Sequence, residues 1–158
     1  MKLLRKLFDR LMPKSQGEIA LQEIMHSAPG TTEAIHLEEV GLPNGRVTTI
    51  QWLYSRTSVK LRISHRTSRS EMIQWTVSER DEAEFKSLIA AIRELDSSRI
   101  ENFAAPVRDG VVYFIAWGNA LNVRSVSLRN PLAGSAQRSL VELIRSSVRN
   151  ERIETAGQ

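Results

Sequence analysis

The chain has 158 residues, 41% of them hydrophobic and 25% charged, which suits one packed domain and excludes a disordered or fibrous chain. Cysteine is absent, which excludes a disulfide framework, thiolate catalysis and cysteine-ligated zinc. The formal net charge of +4 sits in the first 14 residues, where Lys2, Arg5, Lys6, Arg10 and Lys14 stand against Asp9 alone. The remainder is balanced, so its charge is no signature of nucleic-acid binding.

Residues 2–12 predict a short amphipathic helix. Leu3, Leu4, Leu7, Phe8 and Leu11 form one stripe at the helical period, basic residues take the other face, and Pro13 stops it. Lys6, Asp9 and Arg10 interrupt any signal-peptide core, and no run approaches the ~18 apolar residues of a membrane span. The expectation is a cytoplasmic protein. Leu4, Leu7, Phe8 and Leu11 are the candidate contacts to an anionic membrane surface or a partner. Residues 14–30 predict a second short helix, with Leu21, Ile24 and Met25 on one face, acting as a connector.

From Thr31 the period falls to two. Ile35 and Leu37 alternate with polar residues, and Asn44-Gly45 marks a hairpin into a return strand over 47–54. A third strand over 58–65 places Val59, Leu61 and Ile63 inward and Lys60, Arg62 and Ser64 outward. A fourth over 71–77 places Ile73, Trp75 and Val77 inward. Short links make these four an antiparallel meander. A helix over 78–95 follows, capped by Ser78 with Asp81 and buried through Phe85, Leu88, Ile89, Ile92 and Leu95.

Asp109-Gly110 predicts a turn, and the nearly all-apolar run 111–117 a central strand buried on both faces. The strand over 121–128 changes inward parity between Val123 and Val126, as a β-bulge near Arg124-Ser125 would produce. Asn130-Pro131 ends it, and 135–150 forms the last helix around Leu140, Leu143, Ile144 and Val148. The expected class is α+β: an antiparallel sheet with two packed helices, preceded by the amphipathic N-terminal helix. Residues 1–30 are helix and connector, 31–150 one domain, and 151–158 a polar tail.

Catalytic signatures are missing. His26, His36 and His65 lack metal-ligand spacing, no nucleophile elbow occurs, and the eight glycines form no phosphate loop. Asp109-Gly110 is explained by its turn, and Glu38-Glu39 does not by itself define a cleft. The expectation is no catalytic residue, no metal and no cofactor.

Binding surfaces are more promising. The run 46–70 contains Arg46, Arg56, Lys60, Arg62, Arg66 and Arg69 without one Asp or Glu, interleaved with Trp52, Tyr54 and His65. Such a face suits an acidic protein partner, and arginine with aromatics is the composition of interface hot spots. Trp52, Arg56, Lys60, Arg62, Arg66 and Arg69 are therefore the candidate partner-binding residues. Single-stranded nucleic acid is the weaker alternative, with an ordinary solvated face the bland one. Trp52, Trp75 and Trp117 all fall on strands, where core packing is the default.

The second half, with Asp109-Gly110, Tyr113, Gly118, Val126 and Asn130-Pro131 before a terminal helix, belongs to a plan that is similar over about residues 31–150 to small bacterial immunity proteins and protease inhibitors. That resemblance implies a surface that neutralises another protein and carries over no functional residue. The leading expectation is a non-enzymatic protein-binding domain of this immunity or inhibitor kind. The alternatives are a peripheral membrane-associated adaptor through the N-terminal helix and a nucleic-acid-binding domain through the Arg46–Ser70 face.

Overall fold

The structure, a computed structural model, describes residues 15–106 and 109–148. The predicted N-terminal helix with Leu4, Leu7, Phe8 and Leu11, the end of the last predicted helix and the tail lie outside the described residues. In chain order the elements are α1 (Gln16–Ser27), β1 (Thr31–Leu42), β2 (Val47–Ser55), β3 (Val59–Arg66), β4 (Thr76–Arg80), α2 (Glu82–Leu95), β5 (Phe103–Ala104), β6 (Gly110–Gly118), β7 (Val123–Arg129) and α3 (Ala136–Ser146), with a 3₁₀ turn at Asp96–Ser98 after α2.

The class is α+β. One seven-stranded sheet runs β4-β3-β2-β1-β6-β7-β5. The first four strands form the expected antiparallel meander. β6 pairs antiparallel with β1 and β7, and only the two-residue β5 pairs parallel, with β7. The sheet is therefore mixed, and three described helices pack on it where two were expected.

Alternation along the strands gives the sheet two unlike faces. On the front face Ile35, Leu37, Ile50, Trp52, Leu61, Ile115, Val126 and Leu128 meet Phe85, Leu88, Ile89 and Ile92 of α2 and Leu140, Val141 and Ile144 of α3 in one core. Each such side chain contributes roughly 1.5–3 kcal/mol on burial. On the back face α1 lies across β1, β6 and β7, where Leu21 and Ile24 pack on Ala34, Leu53 and Ala116. The segment expected as a connector thus forms a small second core. Ser15 caps α1 by accepting from the Glu18 N–H and also bonds Ser125 on β7 at 2.6 Å. Gly17 permits the close approach, because a Cβ there would stand 2.9 Å from the Ile115 carbonyl oxygen.

Three other expectations are corrected. The fourth strand is Thr76–Arg80, and the helix begins at Glu82, capped by Asp81, whose N–H donates to the Glu84 carboxylate. Ser78 is thus a strand residue and no cap: strand pairing with β3 claims residues that helix-capping chemistry also fits. Ile73 and Val77 are 42% and 55% exposed rather than inward. Finally, β7 pairs with β6 in unbroken register from Val123 to Arg129, so there is no bulge. The parity change arises because Val123 packs against α1 on the back face, Val126 and Leu128 serve the front, and Leu121, 94% exposed, precedes the strand.

Candidate functional site

The turn between β3 and β4 is built from the end of the basic run. Arg66 closes it by donating from Nη1 to the Arg69 and Glu71 carbonyls at 2.9 and 3.3 Å. The Glu71 carboxylate accepts from the Thr67 hydroxyl at 2.6 Å and the Thr67 N–H at 2.7 Å. These bonds, the hydroxyl's foremost, hold the Glu71 carboxyl below the usual carboxylate range. Arg69 reaches back over the sheet to pair with Glu38 of β1, its guanidinium 5.4 Å from the centre of the Phe114 ring on β6. The turn is therefore fastened at both ends and folded over the back face.

Beyond this anchor the chain runs through residues 72–75 into β4. Arg62 stacks on the Trp75 ring at 4.4 Å from its centre, a cation–π contact beside the sheet edge. The same guanidinium donates from Nε to Gln51 Oε1 at 2.5 Å, and Gln51 Nε2 meets His36 Nδ1 at 3.1 Å. Arg62, Gln51 and His36 are direct cross-strand neighbours in β3, β2 and β1. The guanidinium can only donate, so it orients the Gln51 amide; the amide then donates to Nδ1 and leaves the His36 proton on Nε2. Burial, and secondly the Arg62 charge, push the His36 pKa down to about 4, so the imidazole is neutral at pH 7. One row further along, the cross-strand hydroxyls of Thr49 and Ser64 are buried without a hydrogen-bond partner.

The polar row ends at an open edge. No described strand pairs with the outer side of β4. Val77 of β4 is 55% exposed, and Met72 and Ile73, in the segment that leads into β4, are 82% and 42% exposed. An unpaired edge strand is a template for another strand. The opposite edge is blunted: β5 is two residues long, and the Asn102 side chain takes the Ser127 N–H at 2.9 Å beside it.

The six expected partner-binding residues are dispersed by this geometry. Trp52 lies in the front core at 1% exposure and donates its indole N–H to the Ser147 hydroxyl, so it offers no contact surface. Arg56 and Lys60 are exposed. Arg62, Arg66 and Arg69 are engaged by Gln51 and Trp75, by carbonyls, and by Glu38 respectively. Three of these five basic residues thus serve to hold the turn and the edge in place. Glu38 and Glu39 point to opposite faces, Glu38 toward Arg69 and Glu39 toward Arg145 of α3. Among the described residues no group of three His, Asp or Glu could hold a metal ion, and no described helix is long and apolar enough to cross a membrane. What sequence reading missed is the segment Met72–Val77. Its signal was present, since apolar residues follow a tight polar turn, but alternation alone does not say which face is covered.

A concavity of about 770 Å³ lies between α2 and α3 above Trp52, with Leu88 and Leu143 among its lining residues. No protein-family model and no curated protein matches the chain.

Proposed function

We propose that the chain is a non-enzymatic protein-binding domain, in keeping with its plan-level resemblance to immunity and inhibitor proteins, and that it meets its partner along the β4 edge. The observation that supports this reading most is the exposure of Met72, Ile73 and Val77 beside an unpaired strand. The anchored turn and the Arg62–Trp75 stack keep that segment ordered before any partner arrives, which lowers the entropic cost of binding. Tryptophan and arginine at the centre of such a patch fit the usual anchors of protein interfaces, and backbone groups at a sheet edge give strand addition as the binding mode. The nucleic-acid alternative has less to draw on, because Arg62, Arg66 and Arg69 are already engaged within the chain.

The test is paired affinity capture from host lysate, with the full chain and its Met72→Lys/Val77→Lys variant as baits. The reading expects a stoichiometric protein on the wild-type bait that is depleted at least tenfold on the variant. Equal recovery on both baits, or recovery of nucleic acid or anionic lipid alone, contradicts it.

A further inference from the structure

We propose that residues 2–12, as the predicted amphipathic helix, dock beside α1 on the back face of the sheet, over the strip formed by Val112, Phe114 and Ser127. This is a contact within the chain and does not rest on the β4 edge.

The strip is apolar and half-covered. Phe114 pairs with Ser127 and Val112 with Arg129, and all four share the face on which Ala116 meets α1. With Asn102 and Ala104 they line a concavity of about 500 Å³. α1 covers Ala116 and Arg69 reaches the Phe114 ring, yet Val112 and Phe114 are only half-buried. β6 is an interior strand, and its nearly all-apolar sequence is that of a strand covered on both faces.

The point where the described chain begins says which segment lies nearest. Ser15 is bonded to Ser125 of β7. Ser127, the next β7 residue on that face, is about 7 Å further along. Only Pro13 and Lys14 separate the predicted helix from Ser15, a link of at most about 10 Å. The helix therefore ends within reach of the concavity. A helix over 2–12 spans about 16 Å, roughly three strand spacings, enough to run from β7 across β6 and β1. Packed helices lie about 8–10 Å apart. α1 sits over the Ala116 row, since a Cβ on Gly17 would stand 3.3 Å from the Ala116 Cβ. A neighbouring helix then lies between the Phe114 and Val112 rows, with Leu3, Leu4, Leu7, Phe8 and Leu11 turned onto them.

The two flanks of α1 fit this placement. Leu21, Gln22, Met25 and His26 line a separate concavity with Ala120 and Val123, toward the β6–β7 turn. The opposite flank carries Ala20, small enough for close approach, and the exposed Glu23. That carboxylate suits Lys6 and Arg10, which border the apolar stripe.

The lack of native cysteine allows a direct test in the full chain. In Leu7→Cys/Val112→Cys one thiol is on the apolar stripe and the other in the strip. In Asp9→Cys/Val112→Cys the first thiol is on the far side of the same helix. The first pair should close a disulfide within one chain, in a glutathione redox buffer, at least tenfold faster than the second. Leu7→Asp/Leu11→Asp should lower the thermal midpoint by at least about 3 °C, whereas substitutions on an undocked arm leave it unmoved. Equal closure of the two pairs, or an unmoved midpoint, overturns the proposal. So does a disulfide formed between chains, which gives the strip to a second copy. Pelleting of the wild type with phosphatidylserine vesicles that Leu7→Asp/Leu11→Asp abolishes gives the stripe to a membrane and overturns it equally. None of these outcomes bears on the β4 edge, so the two readings fail separately.

Discussion

On the front face the inward positions of the central strands carry apolar side chains, Ile35, Trp52, Leu61 and Ile115 among them, whereas the back-face row beside them carries His36, Gln51 and Arg62. Both faces are substantially buried, but by different means. The front is closed by two amphipathic helices whose stripes fill it. The back is closed at one end by α1 and at the other by a turn held through arginine contacts. Apolar packing tolerates no vacancy but asks for little geometry, and hydrogen-bonded polar rows fix geometry at a cost in desolvation. The front face therefore carries the stability of the domain, and the back face positions one strand edge.

Substitutions should separate these roles. Phe85→Ala removes a fully buried front-face ring and should cost about 3–5 kcal/mol in urea unfolding, while the surviving folded fraction keeps its edge contacts. A loss confined to the back face would break the comparison at once.

Acid should act on the back face next. His36 has its folded pKa depressed to about 4, below its ordinary value, so its contribution is complete above about pH 6.5 and is lost as pH falls toward 4. The unfolded chain takes up the proton first in that window. The whole effect is about 3 kcal/mol, seen as a falling urea midpoint between pH 7 and pH 4.5 and absent in His36→Asn.

At the edge the effects should be functional rather than structural. Val77→Lys should weaken association at least tenfold, about 1.4 kcal/mol, yet move the stability by no more than about 0.5 kcal/mol because the site is exposed. Gly17→Ala sharpens the picture of α1. Helix propensity alone gives a gain of up to about 1 kcal/mol, but the new methyl would press on the Ile115 carbonyl. A net loss of about 1 kcal/mol in thermal or urea unfolding is expected, since overpacking outweighs propensity.

Much of the front half of this architecture was legible in the sequence. Asn44-Gly45 marked the first hairpin, with the Gly41 N–H donating to the Arg46 carbonyl across it, and the stripe from Phe85 to Ile92 marked the helix beneath the sheet. The back face was not, because its cover comes from distant pieces. His36 and Ser64 occupy alternation positions that read as outward, and only α1 and the folded turn make them interior. The same gap misplaced Trp75 and Val77. A period of two tells which residues share a face, and it does not tell that the face is uncovered at Val77 on the sheet edge.

Hydrogen exchange of the full chain, compared alone and with the protein recovered by affinity capture, tests most directly whether the β4 edge is the contact surface. The account predicts that the captured protein protects amides of β4 and of the segment 72–75 leading into it, with exchange unchanged at β5 and in the groove between α2 and α3. Exchange at β4 that ignores the captured protein, or protection that rises at the helix groove instead, would contradict it.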